Sequence, residues 1–83
     1  MIWVTDARAL PDYRLHVRFS DGLEGEVDLK DFIETDSRPI VNELRDRAAF
    51  AAIRVEMDTV VWKNDFDLAP EFLRAHATPK VPA

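Results

Sequence analysis

The clearest pattern in the chain is an alternation of apolar and polar side chains between Tyr13 and Leu29. Apolar residues, with one glycine among them, occupy alternate positions, and charged residues and one histidine lie between them. Because successive side chains of a strand point to opposite faces of a sheet, a period of two predicts two strands, each with one buried face. Ser20, Asp21 and Gly22 interrupt the pattern and predict the turn of a β-hairpin.

The register of this hairpin follows from the same parity. A two-residue turn would place the apolar side chains of the two strands on opposite faces. A three-residue loop with Gly22 in the left-handed conformation keeps them together and pairs Leu15 with Val27. In that register each basic or titratable side chain faces a carboxylate, with Arg18 opposite Glu24, His16 opposite Glu26 and Arg14 opposite Asp28. This agreement between the two faces predicts the register.

Two further segments have the composition of strands. Residues 2–10 are rich in β-branched and apolar types and end at Pro11, which predicts a first strand beside the hairpin. Ile53, Val55 and Met57 alternate with charged residues, and a second apolar run follows at residues 60–62. We expect these two runs to form a second hairpin that turns at Asp58–Thr59.

Helical spacing of apolar residues occurs between and after these strands. Residues 30–34 predict a short helical turn, and a helix is expected to begin near Pro39 and to extend toward residues 48–52. Residues 68–76 predict a closing helix, with Asp67 as its N-cap.

Together these segments predict an α+β fold, in which two or three short helices pack on an antiparallel sheet of about five strands, a three-strand meander plus a hairpin. A chain of 83 residues is long enough for one hydrophobic core and too short for two. We expect a single domain over residues 1–76 and a frayed C-terminal tail over residues 77–83. Self-association would add buried apolar surface to such a small core, so a homo-oligomer is one expectation.

Composition and charge narrow the possible functions. The chain has no cysteine, which excludes disulfides, thiolate metal sites and thiol nucleophiles. Its N-terminus lacks a signal-peptide pattern, and no apolar run approaches the length of a membrane span, so we expect a cytoplasmic protein without membrane contact. Eleven basic against sixteen acidic residues give a net charge of −5. This charge disfavours direct nucleic-acid binding.

Several short motifs together carry a resemblance to a known family. They are Tyr13–Gly22, Val27–Leu29, Leu44–Asp46 with Phe50, Val61–Asn64 and Asp67–Leu73. In order and spacing they resemble the bacterial domain-of-unknown-function family 2442 over nearly the whole chain. The resemblance implies an α+β domain of three plus two strands and no assigned activity. It also implies relatives with a C-terminal helix-turn-helix, and others encoded beside a second small protein in a toxin–antitoxin-like arrangement. The chain departs from the family at Phe66, where relatives often have glycine.

No residue pattern predicts a catalytic site, a cofactor or a metal site. His16 is expected on a charged strand face and His76 near a helix end, where both have structural roles. The nearest approach to a site is one strand-to-helix junction that contains Trp62, Asn64, Asp65 and Asp67. Two carboxylates and an amide there are able to hold a hard cation or a polar ligand. Ordinary loop and cap roles explain the same residues.

A second candidate surface lies in the acidic stretch from Asp21 to Asp36, which holds seven carboxylates and one base. In the second half of this stretch, the carboxylates have no predicted partner and surround apolar residues, which is typical of a docking surface for a basic protein partner. The residues of this candidate surface are Asp31, Phe32, Glu34 and Asp36. We therefore expect a non-catalytic protein-interaction or regulatory module, the antitoxin-like member of a small bacterial protein pair. The alternative is a small-ligand or divalent-cation binding sensor domain.

Overall fold

Among the described residues, the first sheet contains four antiparallel strands, β1 (Val4–Leu10), β2 (Arg14–Phe19), β3 (Glu24–Asp28) and β7 (Ala77–Pro79). They lie in the order β1-β2-β3-β7. The computed structural model describes residues 1–79. The α+β architecture expected from the sequence is confirmed, and the predicted meander forms three of these four strands.

The predicted register of the β2–β3 hairpin is correct at every pair, including Leu15 opposite Val27. Gly22 has a φ of 87°, the left-handed conformation that the three-residue loop requires. The charged side chains nevertheless form diagonal contacts. Arg14 bonds Glu26 at 3.0 Å and His16 bonds Glu24 at 2.9 Å, each reaching past the residue directly opposite. Diagonal neighbours lie within reach of long side chains, so the register was predicted correctly and the ion pairs were not.

A second sheet contains β4 (Ile53–Glu56), β5 (Thr59–Trp62) and β6 (Asp67–Leu68), in the order β4-β5-β6. The β4–β5 turn was expected at Asp58–Thr59 but lies one residue earlier. Met57 and Asp58 have φ values of 52° and 66°, and Glu56 faces Thr59. Positive φ at both central residues defines the primed turn that matches the twist of a hairpin, so backbone geometry overrides the weak turn propensity of methionine.

Within residues 1–79, four short helices connect the strands. They are α1 (Lys30–Thr35), α2 (Pro39–Asn42), which continues into a 3-10 turn (Glu43–Arg45), α3 (Arg47–Ala51) and α4 (Pro70–His76). The expectation that Asp67 caps the last helix is wrong, because Asp67 belongs to β6 and Ala69 occupies the N-cap without a side-chain bond. A residue before proline favours extended backbone, which delays the helix until Pro70. No helix within residues 1–79 has the length and apolar character needed to cross a membrane.

The core lies between the inner faces of the two sheets and the helices. Its fully buried side chains come from every layer and include Leu15, Phe19, Ile33, Leu44, Val60, Trp62 and Leu73. A backbone bond from the Val4 N–H to the Asp58 carbonyl, 2.8 Å long, joins the two sheets where β1 begins beside the β4–β5 turn. The two sheets are thus tied at one end of the molecule.

The expected frayed tail differs from the structure over residues 77–79, which form β7 against β3. Gly25 is what permits this close approach. A Cβ added at Gly25 would lie 2.5 Å from the Thr78 carbonyl oxygen, so a side chain there would displace β7. The remainder of the predicted tail, residues 80–83, lies outside the described residues.

Candidate functional site

Trp62, a member of the strand-to-helix junction predicted as a partner or ligand surface, is completely buried. Its indole Nε1 donates to the Phe50 carbonyl at 2.9 Å. Its ring packs against those of Phe50 and Phe66, with centroids 5.9 and 5.7 Å away. The alternation of β5 places Trp62 on the inner face of the sheet. The sequence does not show which face of β5 is the inner one, because two adjacent valines precede Trp62. Trp62 is therefore a core residue and is not available to a ligand.

The other three residues of the predicted junction do not converge. Both ends of the Asn64 amide are bonded within the chain, since Nδ2 donates to the Ile40 carbonyl and Oδ1 accepts from the Phe66 N–H, each at 3.0 Å. Asp65 pairs with Arg54 at 3.0 Å. Asp67 is exposed on β6, without a side-chain partner among residues 1–79. The described part of the chain contains no group of three or more His, Asp or Glu side chains that could hold a metal ion. Asn64 and Asp65 therefore hold the loop between β5 and β6 in place through contacts within the chain.

The acidic candidate surface is also divided. Asp36 bonds the Arg38 guanidinium through both carboxylate oxygens, the shorter ion-pair contact being 2.8 Å. This contact and a bond from the Arg38 backbone N–H lower the pKa of the Asp36 carboxyl below its usual value. Phe32 is half-buried beside Phe66 and Phe72. The predicted apolar centre therefore belongs to the core.

Asp31 and Glu34 remain exposed, and neither side chain has a partner within residues 1–79. Positive charge lies close by, however. Arg45 donates through Nε to the Ile33 carbonyl and through Nη2 to the Glu34 carbonyl, at 3.2 and 2.9 Å, which satisfies the C-terminal end of α1. Arg38 lies over the Phe66 ring. The acidic region is thus interspersed with guanidinium groups and does not present a uniform negative surface.

A groove of about 390 Å³ lies between α3 and the residues that follow β5. Small and apolar side chains line most of it, and Glu43, Asp46 and Lys63 stand at its margin. Asp46 already accepts the Ala49 N–H as the cap of α3, and Lys63 forms no ion pair in the described part of the chain. The groove lies at the small end of the range for ligand pockets and holds no interacting pair of titratable groups. It therefore offers no catalytic arrangement.

The surface that sequence reasoning missed is apolar. Four large hydrophobic side chains are exposed among residues 1–79, namely Met1, Trp3, Val55 and Met57, and we refer to them as the apolar surface. Trp3 and Met57 are the chain neighbours of Val4 and Asp58, whose backbone bond joins the sheets. Met57 is 88% exposed and Val55 40%. Val55 and Met57 alternate with charged residues, as in a strand with one buried face, but Met57 lies in the β4–β5 turn and, within residues 1–79, β4 is hydrogen-bonded to β5 alone.

Comparison with known proteins shows one family. A family model described as a protein of unknown function (DUF2442) matches residues 4–79. The crystal structure of a "putative DNA binding protein" from Nitrosomonas europaea superposes with a TM-score of 0.76 and 29% sequence identity over 93% of the chain. The chain spans only 49% of that protein's length. No curated protein matches.

Proposed function

The chain belongs to the DUF2442 family of proteins of unknown function, and on that premise we propose that it is a non-catalytic protein-interaction module. The observation that carries the proposal is the apolar surface. Single exposed hydrophobic side chains are ordinary on a folded protein, but grouped ones mark sites of association. Here the exposed large hydrophobics of residues 1–79 come from only two segments, the N-terminus and the β4–β5 hairpin.

The packing around this surface favours the same function. All residues of β4 but the first are exposed. The start of β1 lies against β4, and the Val4 N–H bonds the Asp58 carbonyl at 2.8 Å, which brings the N-terminus beside the β4–β5 turn. A partner that covers both segments would bury exposed apolar side chains from each of them. A regulatory role beside a second protein, of the antitoxin-like kind, is consistent with this surface.

The proposal is tested by capture of partners from bacterial extract with the tagged full chain. The test variant replaces Trp3 and Met57 with serine, and the matched control replaces the exposed Arg47 and Glu71 of α3 and α4 with serine. We expect the unaltered chain and the control to retain the same bound protein and the test variant to lose it. Equal binding by all three, with unchanged thermal midpoints, would contradict an interaction through the apolar surface.

DNA binding is a second candidate, favoured by the description of the Nitrosomonas europaea protein. The net charge of −5 opposes it, because phosphate contacts supply most of the affinity for DNA. Half of that protein also lies outside the match. Gel retardation of a short duplex at low salt separates the two candidates. Retardation that weakens steeply with salt would support DNA binding, and no retardation would leave the interaction module as the function.

A further inference from the structure

The Asp58 carboxylate stands beside the hydrophobic side chains of the apolar surface. Met57 and Asp58 are the two central residues of the β4–β5 turn, and both are exposed. The Asp58 carbonyl accepts the Val4 N–H at 2.8 Å, so Trp3, the residue before Val4, lies next to this turn. An indole, a thioether and a carboxylate are therefore grouped at one place on the surface.

The negative charge of Asp58 is not neutralised within the described part of the chain. Its carboxylate forms no ion pair and no side-chain hydrogen bond among residues 1–79. Arg54 is the basic residue of the neighbouring strand β4, and its guanidinium already bonds the carboxylates of Glu56 and Asp65. Asp58 is therefore a carboxylate without a cation, next to exposed apolar side chains.

These features fit a basic side chain that is flanked by apolar ones. Lys and Arg have a charged head that pairs with a carboxylate and an apolar stem that lies on an indole face. Methionine is unbranched and adapts to apolar side chains of different shapes. A second copy of this chain fits less well, because it would bring the same carboxylate to the same surface. The net charge of −5 repels nucleic acid and anionic lipid.

We infer that the apolar surface and Asp58 together bind an amphipathic basic segment of another protein. The inference rests on the proposed function, because it names the class of partner for the same surface. Apolar side chains of that segment pack on Trp3 and Met57, and a Lys or Arg pairs with Asp58. The net charge of −5 attracts such a segment at long range, so association weakens as salt is added.

Titration of the full chain with two synthetic peptides is the test. One peptide contains leucine and lysine, spaced so that the leucines share one face of a helix, and the other has glutamate in place of every lysine. By calorimetry we expect the lysine peptide to bind with a Kd below about 1 mM, more weakly as salt rises, and the glutamate peptide not to bind. The fluorescence of the half-exposed Trp3 should shift to shorter wavelength, while the buried Trp62 is unaffected.

A pair of charge variants locates the contact. Asp58→Asn removes the carboxylate and keeps a residue that tolerates the left-handed backbone at this position, where φ is 66°. We expect it to weaken binding of the lysine peptide by about two- to fivefold and to reduce the salt dependence. Asp31→Asn is the matched control, because Asp31 is an exposed carboxylate of α1 without a side-chain partner within residues 1–79, and it should leave binding unchanged.

An apolar variant tests the other half of the surface. Met57 is 88% exposed, so Met57→Ser should leave the thermal midpoint unchanged. We expect it to weaken binding of the lysine peptide at least about tenfold, as loss of an apolar anchor does. Unchanged binding by folded Met57→Ser would overturn the inference, since the peptide would then bind by charge alone.

The outcomes separate this inference from the proposed function. No binding of the lysine peptide at about millimolar concentration, or equal binding of both peptides, would overturn the basic partner. Equal losses through Asp58→Asn and Asp31→Asn would also overturn it, since the effect would then come from net charge. Capture of a protein through Trp3 and Met57 would still support the interaction module in each of these cases.

Discussion

Replacement of Trp62 by phenylalanine tests whether the predicted site residue is a core residue. The indole is fully buried, and its Nε1–H satisfies the Phe50 carbonyl. The substitution leaves that buried carbonyl without a donor, at a cost of about 1–3 kcal/mol. The smaller ring adds a cavity cost of about 1 kcal/mol, a fraction of full truncation to alanine. We therefore expect a loss of about 2–4 kcal/mol.

That loss is large for this chain. At about 0.05–0.15 kcal/mol per residue, a domain of 83 residues has a total stability of roughly 4–12 kcal/mol. Urea unfolding followed by circular dichroism measures the change, because a slope of about 1 kcal/mol per molar urea converts it into a midpoint shift of about 2–4 M. The same substitution at the half-exposed Trp3 is the matched control and should cost under about 0.5 kcal/mol. Equal shifts at the two tryptophans would refute the assignment.

Three further outcomes follow from individual contacts. Gly25→Ala places a Cβ 2.5 Å from the Thr78 carbonyl oxygen and should cost about 1–3 kcal/mol in urea unfolding as β7 is displaced; no change would contradict the β3–β7 pairing. The Arg38 contact lowers the pKa of Asp36, so this pair stabilises the fold above the unfolded pKa and loses its effect as the pH falls through the folded pKa. Thermal melts of Asp36→Asn should accordingly show a shallower loss of stability below about pH 4, whereas an unchanged acid limb would argue against the pair. Magnesium or calcium should leave the thermal midpoint unchanged because the Asn64 amide is already bonded; a raised midpoint would support the cation sensor.

The parts of the fold that the sequence predicted are those with local, redundant signals. The β2–β3 register was predictable because apolar parity, charge pairing and Gly22 all specify the same alignment. β6 and β7 were missed because two- and three-residue strands carry no periodicity of their own. β6 forms by pairing with β5 and β7 by pairing with β3, and these contacts exist only in the folded chain. The place of the primed turn likewise follows from the strand register rather than from its residues.

The candidate site was harder to predict for a related reason. Polar residues such as Asn64 and Asp36 look available in the sequence, and only the fold shows that their bonds are already made within the chain. Apolar residues mislead in the opposite way, because they look buried in the sequence and some are exposed in the structure. Val55 and Met57 alternate as core residues do, but Val55 is exposed at the end of a sheet and Met57 is exposed in the β4–β5 turn. Sheet order is a property of the whole chain, so no local pattern contains it.

Capture of a bound protein by the full chain and by its Trp3→Ser, Met57→Ser variant tests most directly whether the apolar surface is the interaction surface. The account predicts that the unaltered chain retains a bound protein and that the variant loses it while its thermal midpoint stays unchanged. Equal capture by the two proteins would contradict the account.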